Sequence, residues 1–357
     1  MYLNSQAKDW TSDREIHPEI LSFHQQLPEF TETPLRRLPS DICQKLGVGG
    51  VLVKDESTRC GLPAFKILGA SWGAYRAIAE RLDCSTTSSL EHVRNLAQET
   101  EICLYTATDG NHGRAVARIG KILGVQASVF VPRIMLPKTR EFIKEEGATV
   151  TIVDGDYDDA VRAAETESKV AHGILIQDTA WPGYEEIPKW IVQGYSTMLT
   201  ELDQQLKPLY GEGPDLVVVP IGVGSLAHAV VGHYKQKGRR TMVLAVEPDT
   251  AACLKTSLER GQITTIETGD TSMCGMNCGT VSYTAWPHLR SGIDACITVT
   301  DSEAANAEDQ LRDHQVSIGP CGAATLAAIN KACRHHKEEL HLSRQSIIVL
   351  LATEGPR

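Results

Sequence analysis

The sequence predicts an α/β protein with two domains, in which parallel-rich sheets are flanked by helices. Short, continuously apolar stretches alternate with helix-like stretches along most of the chain. Strands of that kind are buried on both faces, as they are in parallel sheets covered by helices. A chain of 357 residues is also long enough to form two domains.

The alternation follows a polar, proline-punctuated segment, residues 1–45, which we expect to lie as an arm over the body of the protein. Strands are predicted at 51–54, 103–107, 127–131, 149–153, 174–177, 216–219, 242–246, 295–299 and 347–351. Helices are predicted at 66–79, after the polar connection 85–91, and at 112–123, 137–146, 157–170, 187–206, 225–234, 304–313 and 323–332. Polar stretches near 85–95 and 180–185 divide the chain into a larger domain (1–90 and 181–357) and a smaller inserted α/β domain (91–180).

Charge and composition exclude several classes of function. A net charge of -10 argues against binding to nucleic acid or to an anionic membrane surface. No apolar run approaches the length that spans a bilayer, and the first residues lack the pattern of a signal peptide. The cysteines form no CxxC pair, and Cys274 and Cys278 have no second pair or His cluster beside them, so no metal site is expected. These features predict a cytoplasmic protein with reduced thiols.

Lys66 is the first candidate for chemistry, because it lies between Phe65 and Ile67 at the start of a predicted helix. One interpretation is a lysine at the core boundary, with buried methylenes and a hydrated ammonium. The other is a desolvated lysine whose lowered pKa lets it form a Schiff base with a carbonyl group.

Polar residues also follow several predicted strands, where ligands bind in open parallel sheets. The corner 106–114 reads Thr-Ala-Thr-Asp-Gly-Asn-His-Gly-Arg, more polar groups than a helix cap with turn glycines requires. The stretch 177–181 reads Gln-Asp-Thr-Ala-Trp, which a turn cap and a half-buried tryptophan would also explain. The stretch 351–355 is either a simple chain end or a means of directing the Thr353 hydroxyl into the same cleft.

A glycine-rich turn, Pro-Ile-Gly-Val-Gly-Ser-Leu-Ala at 220–227, joins a predicted strand to a predicted helix. Glycines there let backbone N–H groups approach an anion at the positive end of the helix, which predicts a phosphate site. The turn also fits the GxGxxA dinucleotide fingerprint, with Glu247 placed to bind a ribose. The Ser225 hydroxyl favours a single phosphomonoester, and a plain glycine turn remains a third interpretation.

Taken together, Lys66 in Ala-Phe-Lys, Asn111 in Asp-Gly-Asn-His-Gly and the glycine turn resemble the fold-type II pyridoxal-phosphate enzymes, the tryptophan synthase β superfamily. Within that superfamily the motifs 108–114 and 177–181 are most similar to those of the diaminopropionate ammonia-lyases. The resemblance covers residues 20–355, and it rests on the order and spacing of the motifs. It implies a two-domain fold with the cofactor in the interdomain cleft, and a homodimer. The segment 273–283 only partly follows the family pattern.

The resemblance also implies a role for each matching residue. Lys66 would hold pyridoxal 5'-phosphate as an imine, beside Phe65, and Asn111 would contact the phenolate oxygen of the ring. Thr353 would face the pyridine nitrogen, and Asp109 and Asp178 would lie against the substrate. The phosphate would be held by Gly222, Val223, Gly224, Ser225 and Leu226.

The implied reaction is α,β-elimination from a small β-substituted amino acid, such as 2,3-diaminopropionate, giving a 2-oxoacid and ammonia. A β-replacement synthase would share the same early steps, and the sequence barely separates the two activities. An oxidoreductase that binds NAD(P) at the glycine turn is a third hypothesis, which leaves Lys66 and Asn111 without a role.

Overall fold

The computed structural model describes residues 1–13, 15, 17–108, 110–211 and 213–356. Its strands are β1 (Tyr2–Leu3), β2 (Leu35–Arg37), β3 (Gly50–Asp55), β4 (Cys103–Ala107), β5 (Gln126–Pro132), β6 (Thr149–Val153), β7 (Ile174–Leu175), β8 (Leu216–Pro220), β9 (Met242–Pro248), β10 (Ala295–Val299) and β11 (Ile347–Ala352). Its α-helices are α1 (Glu19–His24), α2 (Ser40–Leu46), α3 (Lys66–Arg81), α4 (Leu90–Gln98), α5 (Asn111–Leu123), α6 (Pro137–Glu145), α7 (Tyr157–Val170), α8 (Glu186–Gly194), α9 (Ser196–Tyr210), α10 (Ser225–Tyr234), α11 (Cys253–Arg260), α12 (Trp286–Gly292), α13 (Asp301–Asp313) and α14 (Pro320–His335). The predicted α/β class is confirmed.

The chain forms two compact units. The first contains residues 1–16, 32–59 and 198–357, and its seven-stranded sheet has the order β1-β10-β9-β8-β11-β3-β2. The pairs among β3 and β8 to β11 are parallel, whereas β1 and β2 are antiparallel edge strands. Helix α14 packs on β8, β10 and β11. Its buried face and the strands form one apolar core, since such strands must be covered by helices.

The second unit contains residues 17–31 and 60–197, and its four-stranded parallel sheet has the order β6-β5-β4-β7. Helix α7 packs on β4 and β5, and the small core includes Tyr105, Phe130 and Ala160. Helix α3 packs against α5 and α8.

The boundaries of the second unit differ from the predicted 91 and 180, because the unit also contains 60–90 and 181–197. The cause is the position of α3, which packs on α5 within the predicted smaller domain and, closely, on α8. A Cβ at Gly69 would lie 2.6 Å from Cε1 of Tyr195, and a Cβ at Gly194 would lie 2.4 Å from the carbonyl oxygen of Leu68. Backbones that touch in this way belong to one packed body, and sequence composition carries no sign of it.

Two further segments differ from expectation. The predicted arm instead supplies the edge strands β1 and β2 to the large sheet and helix α1 to the second unit. The predicted helix 187–206 is two helices that meet at Tyr195. Among the described residues, no helix combines the length and the apolar character needed to cross a membrane.

Candidate active site

Lys66 begins helix α3 in the second unit, directly after a loop whose apolar side chains are buried. Gly61 opens this loop with a φ of +70°, a conformation that glycine adopts without strain. The side chain of Lys66 is 21% exposed, so it is partly desolvated. The burial of Lys66 is therefore intermediate between that of a hydrated lysine at the core boundary and that of a fully desolvated lysine.

The Nζ atom of Lys66 contacts the Oδ2 atom of Asp178, which follows strand β7 and is 6% exposed. Burial alone would raise the pKa of Asp178, but the charge of Lys66, its hydrogen bond and the other groups around the carboxylate together outweigh burial, and the pKa falls to about 2. The side chain of Asp178 is therefore an ionised carboxylate at neutral pH. Two candidate residues that lie 112 positions apart in the sequence are therefore in direct contact.

His112, which the sequence analysis did not single out, completes this cluster. Its Nε2 lies 2.9 Å from the carbonyl oxygen of Ile176, which can only accept, so Nε2 carries the proton. Its Nδ1 lies 3.8 Å from Oδ2 of Asp178 and has no hydrogen-bond partner among the described residues. Burial lowers the pKa of His112. A neutral imidazole with its lone pair beside Asp178 follows from these contacts.

The polar corner after β4 is held by a hydroxyl group. Oγ1 of Thr108 accepts from the backbone N–H of Gly110 at 2.9 Å and from that of Gly113 at 3.0 Å. These bonds fix the turn that brings Asn111 to the first position of α5. Asp109, the second predicted catalytic carboxylate, lies outside the described residues.

The glycine turn belongs to the first unit, between β8 and α10. Gly224 has a φ of +94°, and Ser225 and Leu226 are buried in the first turn of α10. A Cβ at Gly222 would lie 2.8 Å from the carbonyl oxygen of Gly275. The turn thus lies at a helix N-terminus, the place where backbone N–H groups can bind an anion, while the protein's own backbone also demands glycine.

The segment 273–283, which only partly follows the family pattern, packs on this turn. The backbone N–H of Ser282 donates to the carbonyl oxygen of Val223 at 2.8 Å. A Cβ at Gly222 would also meet Sγ of Cys278 at 3.3 Å. Changes in this segment therefore act directly on the shape of the glycine turn.

If Ser225 holds the phosphate of pyridoxal 5'-phosphate, as the resemblance implies, Ser225→Ala should weaken binding of that coenzyme by ~10- to 100-fold, because a hydrogen bond to a charged group contributes about 1.5–3 kcal/mol. Titration of the coenzyme-free protein, followed by absorbance, measures the change. Ser40→Ala is the matched control, since Ser40 is also the first residue of a helix and is exposed. Gly224→Val is a poorer test, because a Cβ would lie 2.7 Å from Cδ1 of Leu289 and would strain the fold itself. Unchanged affinity in Ser225→Ala would remove Ser225 from the phosphate site.

Glu247 has a structural task that conflicts with the dinucleotide interpretation. Its carboxylate is fully buried and accepts from the backbone N–H groups of Leu254 and Lys255, at 2.7 and 2.8 Å. These donors lie at the N-terminus of α11. A carboxylate used in this way caps a helix and is not directed at a ribose.

Glu247→Gln is expected to change how stability depends on pH. Burial raises the pKa of Glu247 from 4.5 to about 7, so the folded protein binds this proton more tightly than the unfolded chain does. The stability that this tighter proton binding contributes is complete below about pH 4.5 and is lost as the pH rises towards 7. Urea unfolding at several pH values should show a steeper fall in stability for the wild type than for Glu247→Gln between pH 5 and 8. The same dependence of stability on pH in the two proteins would contradict the raised pKa of Glu247.

Thr353 follows β11, a strand inside the large sheet between β8 and β3, and its side chain is buried. The backbone before it is fixed from both sides, because β11 pairs in parallel with both neighbours. Its hydroxyl therefore has a defined position at the carboxyl end of the sheet, where ligands bind in such folds.

Comparison with known proteins gives the family. Residues 27–354 match the family described as "Pyridoxal-phosphate dependent enzyme". The chain belongs to this family. It is 36% identical to the diaminopropionate ammonia-lyase of Salmonella typhimurium, over 94% of this chain and 88% of that protein.

Solved structures of the family agree with the fold. The structure of Escherichia coli diaminopropionate ammonia-lyase in complex with D-serine superposes with a TM-score of 0.91 at 31% identity, over 99% of this chain and 93% of that one. The same enzyme in complex with an aminoacrylate-PLP azomethine reaction intermediate gives a TM-score of 0.88 at 29% identity, over 99% of this chain and 93% of that one. The cofactor of the family is pyridoxal 5'-phosphate.

The described residues fit this coenzyme in each unit separately. In the second unit, a partly desolvated lysine lies at a helix start beside an ionised carboxylate and a neutral imidazole. The first unit offers a helix N-terminus preceded by a glycine with positive φ, as a phosphate requires. It also offers Thr353, a neutral hydroxyl group at the end of a central strand.

Proposed function

We propose that this protein is a pyridoxal-phosphate-dependent lyase that removes ammonia from a small β-substituted amino acid of the 2,3-diaminopropionate type, leaving a 2-oxoacid. The observation that carries the proposal is the contact between the ammonium of Lys66 and the buried carboxylate of Asp178. The bound coenzyme would act as an electron sink for the α-carbon of the substrate.

The residues of the chain would bind the coenzyme and move protons. Lys66 would anchor it and, once released, take a proton from one face of the substrate. Asn111 and Phe65 would lie beside the ring, and Thr353 would face the ring nitrogen without forcing its protonation. The phosphate would be bound by Gly222, Val223, Gly224, Ser225 and Leu226.

Asp178 suits the binding of a cation better than the removal of a proton. While Lys66 is free, its ammonium helps to hold the pKa of Asp178 at about 2, so the carboxylate is an anion in contact with a cation. Its contact with the primary ammonium of Lys66 supports a role in holding the β-ammonium group of the substrate. Asp109 would then be the base on the opposite face.

Product analysis tests the proposal. With 2,3-diaminopropionate, loss of both amino groups should give two molecules of ammonia for each 2-oxoacid. The purified protein should also show an absorbance band near the visible edge that borohydride abolishes. NADH binding without pyridoxal phosphate binding would replace this proposal with the oxidoreductase.

Added thiols or amines separate elimination from β-replacement. A lyase should give the same yield of 2-oxoacid with or without them, whereas a synthase should form a new amino acid in its place. The homodimer and the cytoplasmic location expected from the sequence belong to the same proposal. Light scattering of the purified protein and fractionation of the source cells measure them.

A further inference from the structure

Strand β7 separates from β4 immediately before Asp178. The two strands pair in parallel, Leu104 with Ile174 and Tyr105 with Leu175, and the backbone N–H of Ile176 donates to the carbonyl oxygen of Tyr105 at 2.7 Å. In a parallel ladder, the next bond would run from the N–H of residue 107 to the carbonyl oxygen of residue 176. In the structure, the N–H of Ala107 and the carbonyl oxygen of Ile176 each bond to a side chain instead.

The side chain of Gln177 takes the place of that backbone acceptor. Its Oε1 accepts from the backbone N–H of Ala107 at 3.1 Å and from Oγ1 of Thr106 at 3.0 Å. The carbonyl oxygen of Ile176 is thereby left to accept from Nε2 of His112 at 2.9 Å. One side-chain amide therefore ends the ladder and makes a backbone acceptor available to His112.

Gln177 is held firmly enough to do this. It is fully buried, and its Nε2 donates to Oη of Tyr157 at 2.6 Å. Its backbone N–H donates to Oη of Tyr184 at 2.9 Å, and that hydroxyl donates to the carbonyl oxygen of Leu175 at 2.7 Å. A buried amide with both ends bonded keeps one orientation, because each lost bond would cost about 1–3 kcal/mol.

We infer that Gln177 is a positioning residue, which sets the Asp178 carboxylate and the His112 imidazole by replacing one backbone bond of the β4–β7 ladder. Leucine has no acceptor for Ala107, and glutamate would bring a second buried negative charge next to Asp178. The inference rests on the proposed function only in taking Asp178 as the residue that contacts the substrate.

A double-mutant cycle on 2,3-diaminopropionate turnover tests the inference. Gln177→Leu should lower kcat/KM by ~10- to 100-fold, as a misplacement of about 1 Å can do. If Gln177 acts through Asp178, the same change in an Asp178→Asn background should cost less than ~3-fold, because coupled residues are not additive. Additive losses in the double variant would overturn the inference. Gln126→Leu, an exposed glutamine of the same sheet, is the control.

Gln177→Glu gives a second readout and covers the case in which Gln177→Leu does not fold. Glutamate keeps the acceptor for Ala107 and Thr106 but adds a negative charge beside Asp178, which should raise the pKa of that carboxyl. The acidic limb of the kcat/KM profile should therefore move to higher pH in this variant. An unmoved limb in a folded Gln177→Glu protein would contradict the proposed position of Gln177.

Nuclear magnetic resonance of ¹⁵N-histidine-labelled protein tests the same inference without any substrate. His112 should give a slowly exchanging Nε2–H signal in the wild type, assigned by its loss in His112→Gln. In Gln177→Leu, the N–H of Ala107 loses its acceptor and can compete with Nε2 of His112 for the carbonyl oxygen of Ile176, so the His112 signal should shift and exchange rapidly. An unchanged signal would overturn the inference even if the wild type proves to be a lyase. A changed signal without lyase activity would instead reject the proposed function alone.

Discussion

Lys66→Ala is expected to abolish turnover, with a loss of at least ~10³-fold, because Lys66 is proposed as both the covalent anchor and a base. The absorbance band of the bound coenzyme should disappear with it. Borohydride reduction of the wild type, followed by peptide mapping, should place the coenzyme on Lys66. Label on another lysine would contradict the assignment.

The same variant should be less stable than the wild type. Removing a desolvated lysine that has no partner would stabilise a fold. The structure pairs Lys66 with the buried carboxylate of Asp178, so the change leaves an unpaired buried charge. We expect a loss of about 1–3 kcal/mol in the free energy of unfolding. Lys121→Ala, an exposed lysine on α5, is the control for both measurements.

Much of the fold could be predicted because parallel strands that are buried on both faces are continuously apolar in sequence. Strands β4, β6 and β10 have the predicted bounds, and so do helices α7 and α10. The edge strands β1 and β2 were not predicted, since a two- or three-residue strand has no pattern of its own. Strand β7 ends earlier than predicted, at Leu175, because the side chain of Gln177 replaces its next backbone bond.

Sequence motifs could single out candidate site residues, but they could not show contacts that depend on the fold. Lys66 and Asp178 were singled out separately, and the structure shows that they are in contact although 112 positions separate them. His112 lies in a quoted motif, yet its role depends on the carbonyl of Ile176, which no motif shows. Glu247 illustrates the opposite error. Its position at the end of β9 fitted a dinucleotide fingerprint, but its partners are backbone N–H groups at the start of α11, and only the fold brings them together.

Asp109→Asn is expected to abolish reaction with one enantiomer of the substrate and to spare the other. A lysine that anchors the coenzyme would reach the substrate from one side only, so a second base would be needed for the other enantiomer. Asp178 is assigned instead to the β-ammonium group of the substrate, because it contacts a primary ammonium, that of Lys66, in the structure. Asp109 is the remaining carboxylate of the motif, two residues before Asn111. Loss of a general base costs about 10²- to 10⁴-fold, which steady-state assays of each enantiomer resolve.

Asp178→Asn provides the contrast that separates the two carboxylates. It should slow both enantiomers, and most strongly those substrates that carry a positive β-group, because it removes the anion proposed to bind that group. A serine-type substrate with a neutral β-group should lose less. Asp154→Asn, at an exposed aspartate, is the control. Equal losses for the two enantiomers in Asp109→Asn would mean that Asp109 only supports the corner around Asn111. Lys66 would then have to serve one enantiomer, with no carboxylate base for the other.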